Sequence, residues 1–220
     1  MNNIGDFFCS WSGGKDCCFA LYKAIKAGGI PKLLMTMCIE EGERTRMHGI
    51  HTDVINAQAK SMGIPLVTQN SSWENYRVNY VNKIKEFKHL NLQTGVFGDI
   101  DFEIGREWEE SICKELGLQA LLPLWQRDRE DLVQGFIVAG FKAYIVAVDS
   151  QKLDKAYLGR PLTCELISEF KALGIDPSGE GGEYHSVVVD GPIFQQPINL
   201  KVGIQVLRSG YWFQDFVLML

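Results

Sequence analysis

The first thirty residues constrain the fold more than any other stretch. Asp6-Phe7-Phe8-Cys9-Ser10-Trp11 is a short, mostly apolar run that leads straight into Ser12-Gly13-Gly14-Lys15-Asp16. Cys18, Leu21, Tyr22 and Ile25 then recur at helical spacing, and Gly28-Gly29 ends the pattern. Strand, glycine pair and helix start together make an anion site. Glycine admits φ > 0 and close approach, successive N–H groups form a concave nest, and the helix start carries partial positive charge. The helix end contributes about 0.3–1 kcal/mol, up to about 2 when partly buried. Each charge-assisted hydrogen bond adds about 1.5–3 kcal/mol, so the loop is expected to grip polyphosphate chiefly through its backbone.

The alternation continues downstream. Apolar strands are expected over 32–38, 65–68, 94–98 and 118–124. Between them, Thr52 or Asp53 caps a helix that ends near Gly63. Ser72 caps a longer one whose Trp73, Tyr76, Tyr80, Ile84 and Phe87 share an apolar face, and Trp108, Ile112 and Leu116 mark another that Gly117 ends. Repeated βα units of this length imply a parallel sheet covered by helices, with ligands beyond the carboxyl ends of its strands. After about Leu124 the pattern changes. A helix over 129–139, a strand over 143–148, a loop holding Leu158-Gly159-Arg160 and a helix before Gly174 precede antiparallel β over 185–189, 201–207 and 211–218. The expected class is α/β: a parallel sheet with helices on both faces, plus a smaller C-terminal α+β region. The expected domains are 1–124 and 125–220.

Composition narrows the partners. The 220-residue chain has a net charge of −5 with Lys and Arg dispersed, which argues mildly against a nucleic-acid surface. No apolar run approaches the roughly 18–20 residues that span a bilayer, and the start lacks a basic n-region. The chain is expected to be cytoplasmic. Six cysteines include no CxxC pair, so most are expected as small core residues in a reducing compartment. His48, His51 and His185 lack a metal-ligand spacing, and His51 reads as a helix-start residue.

Two common phosphate loops fail on spacing. A Walker A motif needs a glycine five residues before Gly14, and a dinucleotide fingerprint needs G-x-G-x-x-G where this chain has adjacent glycines and Cys18. The Ser12–Asp16 loop resembles that of the PP-loop (N-type) ATP pyrophosphatases, within the HUP-like Rossmannoid folds. That resemblance implies ATP and Mg²⁺ as cofactors, attack at the α-phosphate and release of pyrophosphate. By position, Ser12, Gly13 and Gly14 would cradle the β- and γ-phosphates, Lys15 would add charge, and Asp16 would help hold Mg²⁺. Cys17 departs, standing where the family has Ser or Thr; losing one ordinary hydrogen bond costs about 0.5–1.5 kcal/mol. Ser10, Met37, Gly98 and Asp99 complete the nucleotide set. Met37 occupies the strand end where such enzymes seat adenine on the backbone, and is also an ordinary core residue type.

The likeness extends along the chain. C-S-W-S-G-G-K-D from Cys9, F-G-D-I from Phe97, P-L-W-Q-R-D from Pro123, G-E-G-G-E-Y from Gly179 and V-D-G-P from Val189 occur in order. Together they resemble the diphthine–ammonia ligase (diphthamide synthetase) family and its bacterial relatives, over nearly the whole chain to about Phe194. The resemblance implies an ATP-dependent ligase that adenylates a carboxylate and amidates it with ammonia, the family acceptor being diphthine on elongation factor 2. Residues 1–124 would bind ATP and 125–220 the substrate. Lys15, Asp16, Glu180 and Glu183 would carry catalysis, with Arg106, Arg127, Gly181 and Gly182 at the substrate. Several roles stay open. Glu180 and Glu183 could bind ammonium, orient substrate or relay a proton, or lie in a solvated turn. Asp99 and Asp101 could meet metal or substrate, or Asp101 could cap a helix. Arg127 could pair with Asp128, and Arg106 and Arg160 could sit in surface ion pairs. Alternatives for the whole chain are a PP-loop enzyme with a small-molecule or tRNA acceptor and a nucleotide-binding sensor. A homo-oligomer is compatible with all three.

Overall fold

The computed structural model describes residues 4–219. In chain order the elements are β1 (Asp6–Ser10), α1 (Lys15–Lys26), β2 (Ile30–Cys38), α2 (Thr52–Met62), β3 (Leu66–Asn70), α3 (Tyr76–Lys85), β4 (Thr94–Val96), α4 (Glu103–Leu116) and β5 (Gln119–Leu121). They continue as α5 (Arg129–Val138), β6 (Lys142–Asp149), α6 (Cys164–Ala172), β7 (Tyr184–Asp190), β8 (Leu200–Arg208) and β9 (Tyr211–Leu218). The chain divides into two compact units that are not contiguous in sequence. Unit 1 takes the chain through Ser12, then Asp16–Arg46 and Gly63–Gln126; unit 2 takes Gly13–Lys15, Met47–Met62 and everything from Arg127 onward.

Unit 1 holds a five-stranded sheet in the order β3-β2-β1-β4-β5, every pair parallel. Its class is the α/β arrangement expected from the βα repeats. The two faces separate by the period-2 alternation of β1. Phe8 packs with Leu33, Met35, Tyr80, Ile84, Phe97 and Ile112, burying α3 and α4 on one side. Cys9 points the other way, where its Sγ lies 3.8 Å from the Cys17 carbonyl of α1. Five cysteines are buried, and Cys164 at the start of α6 is exposed.

Three elements differ from expectation for visible reasons. Ser72 does not begin α3: its Oγ accepts from the Asn75 N–H at 3.3 Å, closing a turn that precedes the helix. Trp73 therefore lies outside the apolar face and is 62% exposed, with the Arg46 guanidinium 4.9 Å over its ring. Strands β4 and β5 are shorter than the apolar runs that announced them. Apolar runs in a sheet buried on both faces continue into the packed loops beyond the ladder, so length alone overestimates the strand.

Unit 2 holds a four-stranded antiparallel sheet in the order β7-β6-β9-β8. Helix α6 reaches it through Phe170, whose ring lies 5.2 Å from that of Tyr184. Phe136 of α5 stacks on Phe141 at 4.8 Å. Asp128 caps α5, accepting from the Asp131 N–H at 3.0 Å, and Thr163 caps α6 in the same way at 3.2 Å.

Candidate active site

Within unit 2 the loop residues Gly13–Lys15 lie against β7 and α2. The Val188 N–H donates to the Gly13 carbonyl at 2.9 Å. Gln58 Nε2, fully buried on α2, donates to the carbonyls of Gly13 (3.0 Å) and Val188 (2.7 Å). The Lys15 N–H donates to Ser186 Oγ at 3.1 Å, so one amide of the nest is engaged by protein. Both glycines are sterically required. Gly13 has φ +82, and a Cβ there would stand 2.5 Å from Ile55 Cδ1. A Cβ on Gly14 would stand 2.3 Å from His48 Cε1 and 3.1 Å from the Ser186 carbonyl.

Lys15 is 5% exposed, and a buried ammonium needs compensation. Its Nζ lies 3.9 Å from Glu180 Oε1 and 5.5 Å from the centre of the Tyr184 ring. The glycine loop and the E-G-G-E segment, far apart in sequence, are thus brought together at Lys15 and Glu180. The segment itself is tied down at several points. The Asp176 carboxylate accepts from the Glu180 N–H at 3.2 Å, Tyr211 donates to the Gly182 carbonyl at 2.9 Å, and Lys152 donates to the Gly181 carbonyl. Gly182 needs its φ of +80, and a Cβ on Gly181 would meet Glu183 Oε1 at 2.4 Å. Glu183 Oε2 is buried without a hydrogen-bond partner, an acceptor that ordinary folding does not leave open.

Beside this segment His48 stacks on His185 at 4.6 Å, and His185 on Tyr211 at 5.9 Å. Burial lowers the His48 pKa to about 4, helped by the Lys15 charge and opposed by its contact with the Ser186 carbonyl. The ring is neutral at pH 7. Sequence reading missed His48 as a contact of Gly14, and it missed Gln58 and Ser186 altogether. The one available signal was position: His185-Ser186 directly follow E-G-G-E-Y.

Unit 1 carries the remaining nucleotide candidates. Ser10 ends β1, and Ser12 Oγ donates to Cys17 Sγ at 3.3 Å. The Cys17 thiol is 6% exposed and serves that internal contact. Asp16 lies in the first turn of α1. A Cβ on Gly98 would stand 2.7 Å from the Cys17 nitrogen, so β4 abuts the start of α1 only because residue 98 is glycine. Asp99 follows; burial first, and Asp99 after it, pushes the carboxyl of Glu109 on α4 up to about 11. The Met37 side chain belongs to the core, and its carbonyl accepts from the Arg46 N–H at 3.0 Å.

The arginines divide differently. Arg106 pairs with Glu103 and with Glu110 (3.5 Å) along α4 and lies 5.1 Å over the Trp125 ring. Arg160 grips Glu169 through two hydrogen bonds of 3.0 and 2.6 Å. Both are in the ion pairs held open as the ordinary alternative. Arg127 precedes the α5 cap, and Asp128 serves as that cap.

Family models for the diphthamide synthase N-terminal and C-terminal domains match residues 7–120 and 128–219. The chain belongs to the diphthamide synthase family. Diphthine–ammonia ligase of Mus musculus is 30% identical over 225 residues, covering 90% of this chain and 84% of the relative. That of Schizosaccharomyces pombe is 29% identical over 86% of this chain, which spans only 35% of the fission-yeast protein. A solved structure described as a predicted subunit of tRNA methyltransferase from Methanocaldococcus jannaschii aligns with 89% of this chain and all of its own. At a TM-score of 0.45 and 15% identity, that likeness carries no functional weight.

Proposed function

We propose that this chain is an ATP-dependent carboxylate–ammonia ligase of the diphthine–ammonia ligase type. The observation that carries the reading is the meeting of Lys15 with Glu180 at 3.9 Å, which joins the phosphate loop to the family's E-G-G-E segment. A carboxylate is a poor electrophile until one oxygen becomes a leaving group. Its oxygen attacks the α-phosphorus of ATP, the bond to the β-phosphate breaks, and pyrophosphate departs. Ammonia then attacks the acyl carbon, the bond to AMP breaks, and nitrogen sheds a proton as the amide forms.

Gly13 and Gly14 shape the backbone against the β- and γ-phosphates, with Ser12 beside them, and Lys15 opposes the charge that gathers on departing pyrophosphate. Glu180 fixes the Lys15 ammonium. Glu183, with an unused buried oxygen, holds ammonium or accepts the proton that nitrogen sheds. Among the described residues no cluster of three or more His, Cys, Asp or Glu side chains is disposed to hold a metal by itself. That fits Mg²⁺ carried on ATP, where phosphates and water supply most ligands and one carboxylate, here Asp16, suffices. When bound, the ion would neutralise polyphosphate charge. The relatives' names point to diphthine as the acceptor, and the family resemblance puts that group on elongation factor 2. Among the described residues no helix is long and apolar enough to cross a membrane.

Incubating the protein with Mg²⁺-ATP, ammonium and diphthine-bearing elongation factor 2 tests the reading. AMP, pyrophosphate and an amidated acceptor are expected in equal amounts. Release of ADP and phosphate overturns the PP-loop assignment, and tight ATP binding without turnover points to a sensor.

A further inference from the structure

Between α6 and β7 the chain turns around one carboxylate. The Asp176 side chain is 12% exposed. Its Oδ1 accepts from the Ser178 N–H at 2.9 Å and from Ser178 Oγ at 3.1 Å. Its Oδ2 accepts from the Glu180 N–H at 3.2 Å and from Nη1 of Arg129, the first residue of α5. Both oxygens thus hold donors of the segment that carries Glu180, and the guanidinium balances the charge. A carboxylate accepts at both oxygens and donates at neither. An amide in its place would turn N–H groups against either Ser178 or Glu180.

The consequence reaches Lys15 by two routes. Glu180, its N–H caught by Asp176, presents Oε1 to the Lys15 Nζ at 3.9 Å. Tyr184, whose ring centre lies 5.5 Å from the same Nζ, donates its O–H to the Pro177 carbonyl at 2.7 Å. Gly179 has φ +73, and a Cβ there would stand 2.9 Å from the Tyr184 ring, so only glycine lets the segment pass that close. Residues 176–180 therefore hold two neighbours of the ammonium that opposes pyrophosphate charge.

We propose that Asp176, charge-balanced by Arg129, is a positioning residue that sets Glu180 and Tyr184 around the Lys15 ammonium and so places that charge for pyrophosphate release. The proposal rests on the ligase reading of this chain. The Gly13–Gly14 backbone grips ATP with or without this clasp, so its loss falls on turnover more than on ATP affinity.

Turnover of Mg²⁺-ATP with ammonium and diphthine-bearing elongation factor 2, calorimetric ATP titration and lysine labelling test it on the full chain. Asp176→Asn should lower kcat for AMP and pyrophosphate about tenfold or more, with ATP affinity within about threefold of wild type. Arg129→Met should lower kcat in the same sense, and Arg129→Lys, which returns a cation to Oδ2, should recover most of it. In a Glu180→Gln background Asp176→Asn should cost less than about threefold more. A readout without turnover is acetylation of Lys15, mapped by mass spectrometry below the melting temperature. Lys15 should react about tenfold faster or more in Asp176→Asn, while the exposed Lys142 is labelled at an unchanged rate. An Asn variant with a lowered melting temperature but wild-type kcat and wild-type Lys15 labelling overturns the proposal. Equal losses of kcat and ATP affinity, or a full additional loss in the Glu180→Gln background, overturn it as well. A wild-type protein that binds ATP yet yields no AMP sinks the ligase reading, and Lys15 labelling then still decides whether Asp176 sets the ammonium.

Discussion

At the scale of single residues, backbone demands were legible and side-chain partnerships were not. Gly13, Gly14 and Gly98 announce themselves because only glycine tolerates their φ or their neighbours. Gly14 gives the sharpest prediction. Its missing Cβ is replaced by the His48 ring on one side and the Ser186 carbonyl on the other, and the carbonyl belongs to a strand that cannot step back. Gly14→Asp adds both bulk and a negative charge beside the phosphates, and should abolish ATP binding by calorimetry. Retained binding would show that the loop serves another purpose. Partners such as His48 and Ser186 left no comparable trace, since a lone histidine or serine in ordinary sequence carries no spacing that marks what it will touch. Cys17 shows the converse. Its identity was conspicuous as a departure, and the contact it makes, accepting from Ser12 Oγ at 3.3 Å, was not foreseen.

At the scale of elements, periodicity found the strands and α-helices of the described residues but not the short 3-10 turns at Lys88–Leu90 and Lys155–Tyr157, and ends were decided by contacts. Trp73 has the spacing of the α3 apolar face, but the Ser72–Asn75 turn lifts it off the helix and Arg46 covers it. Helix α2 was read from its cap and its glycine stop; that it would brace the phosphate loop was invisible. Gln58 does this from a fully buried position, bridging the carbonyls of Gly13 and Val188. Gln58→Met keeps the volume and leaves the Gly13 carbonyl with one donor and the Val188 carbonyl without this one. Leaving a buried acceptor short costs about 1–3 kcal/mol. A lower melting temperature is expected, together with a raised KM for ATP, because the braced segment is the loop itself. A fall in stability with an unchanged KM would mean that α2 supports the core and not the loop.

At the scale of the whole molecule, two buried groups titrate in opposite senses, one in each unit. His48 in unit 2 has its pKa lowered from 6.5 to about 4. The unfolded chain therefore binds the extra proton first. Stability is fully present above pH 6.5 and is lost as pH falls through about 4. Glu109 in unit 1 is shifted upward from 4.5, so its folded form keeps a proton that the unfolded chain releases. Its contribution is fully present below pH 4.5 and drains away as pH rises through the alkaline range. Each slope is bounded by about 1.4 kcal/mol per pH unit per proton. Between pH 4.5 and 6.5 these two slopes oppose each other; above that range only Glu109's remains of the two, and below it only His48's, where the lowered Glu169 adds a loss of the same sign. Melting temperature against pH should show that shape. Glu109→Gln should flatten the alkaline limb and gain most over wild type near pH 9, whereas His48→Asn should flatten only the acid limb. Should the units melt as separate transitions, each substitution should move its own and leave the other in place. A Gln variant whose alkaline limb follows that of wild type would mean that Glu109 is ionised in the folded protein.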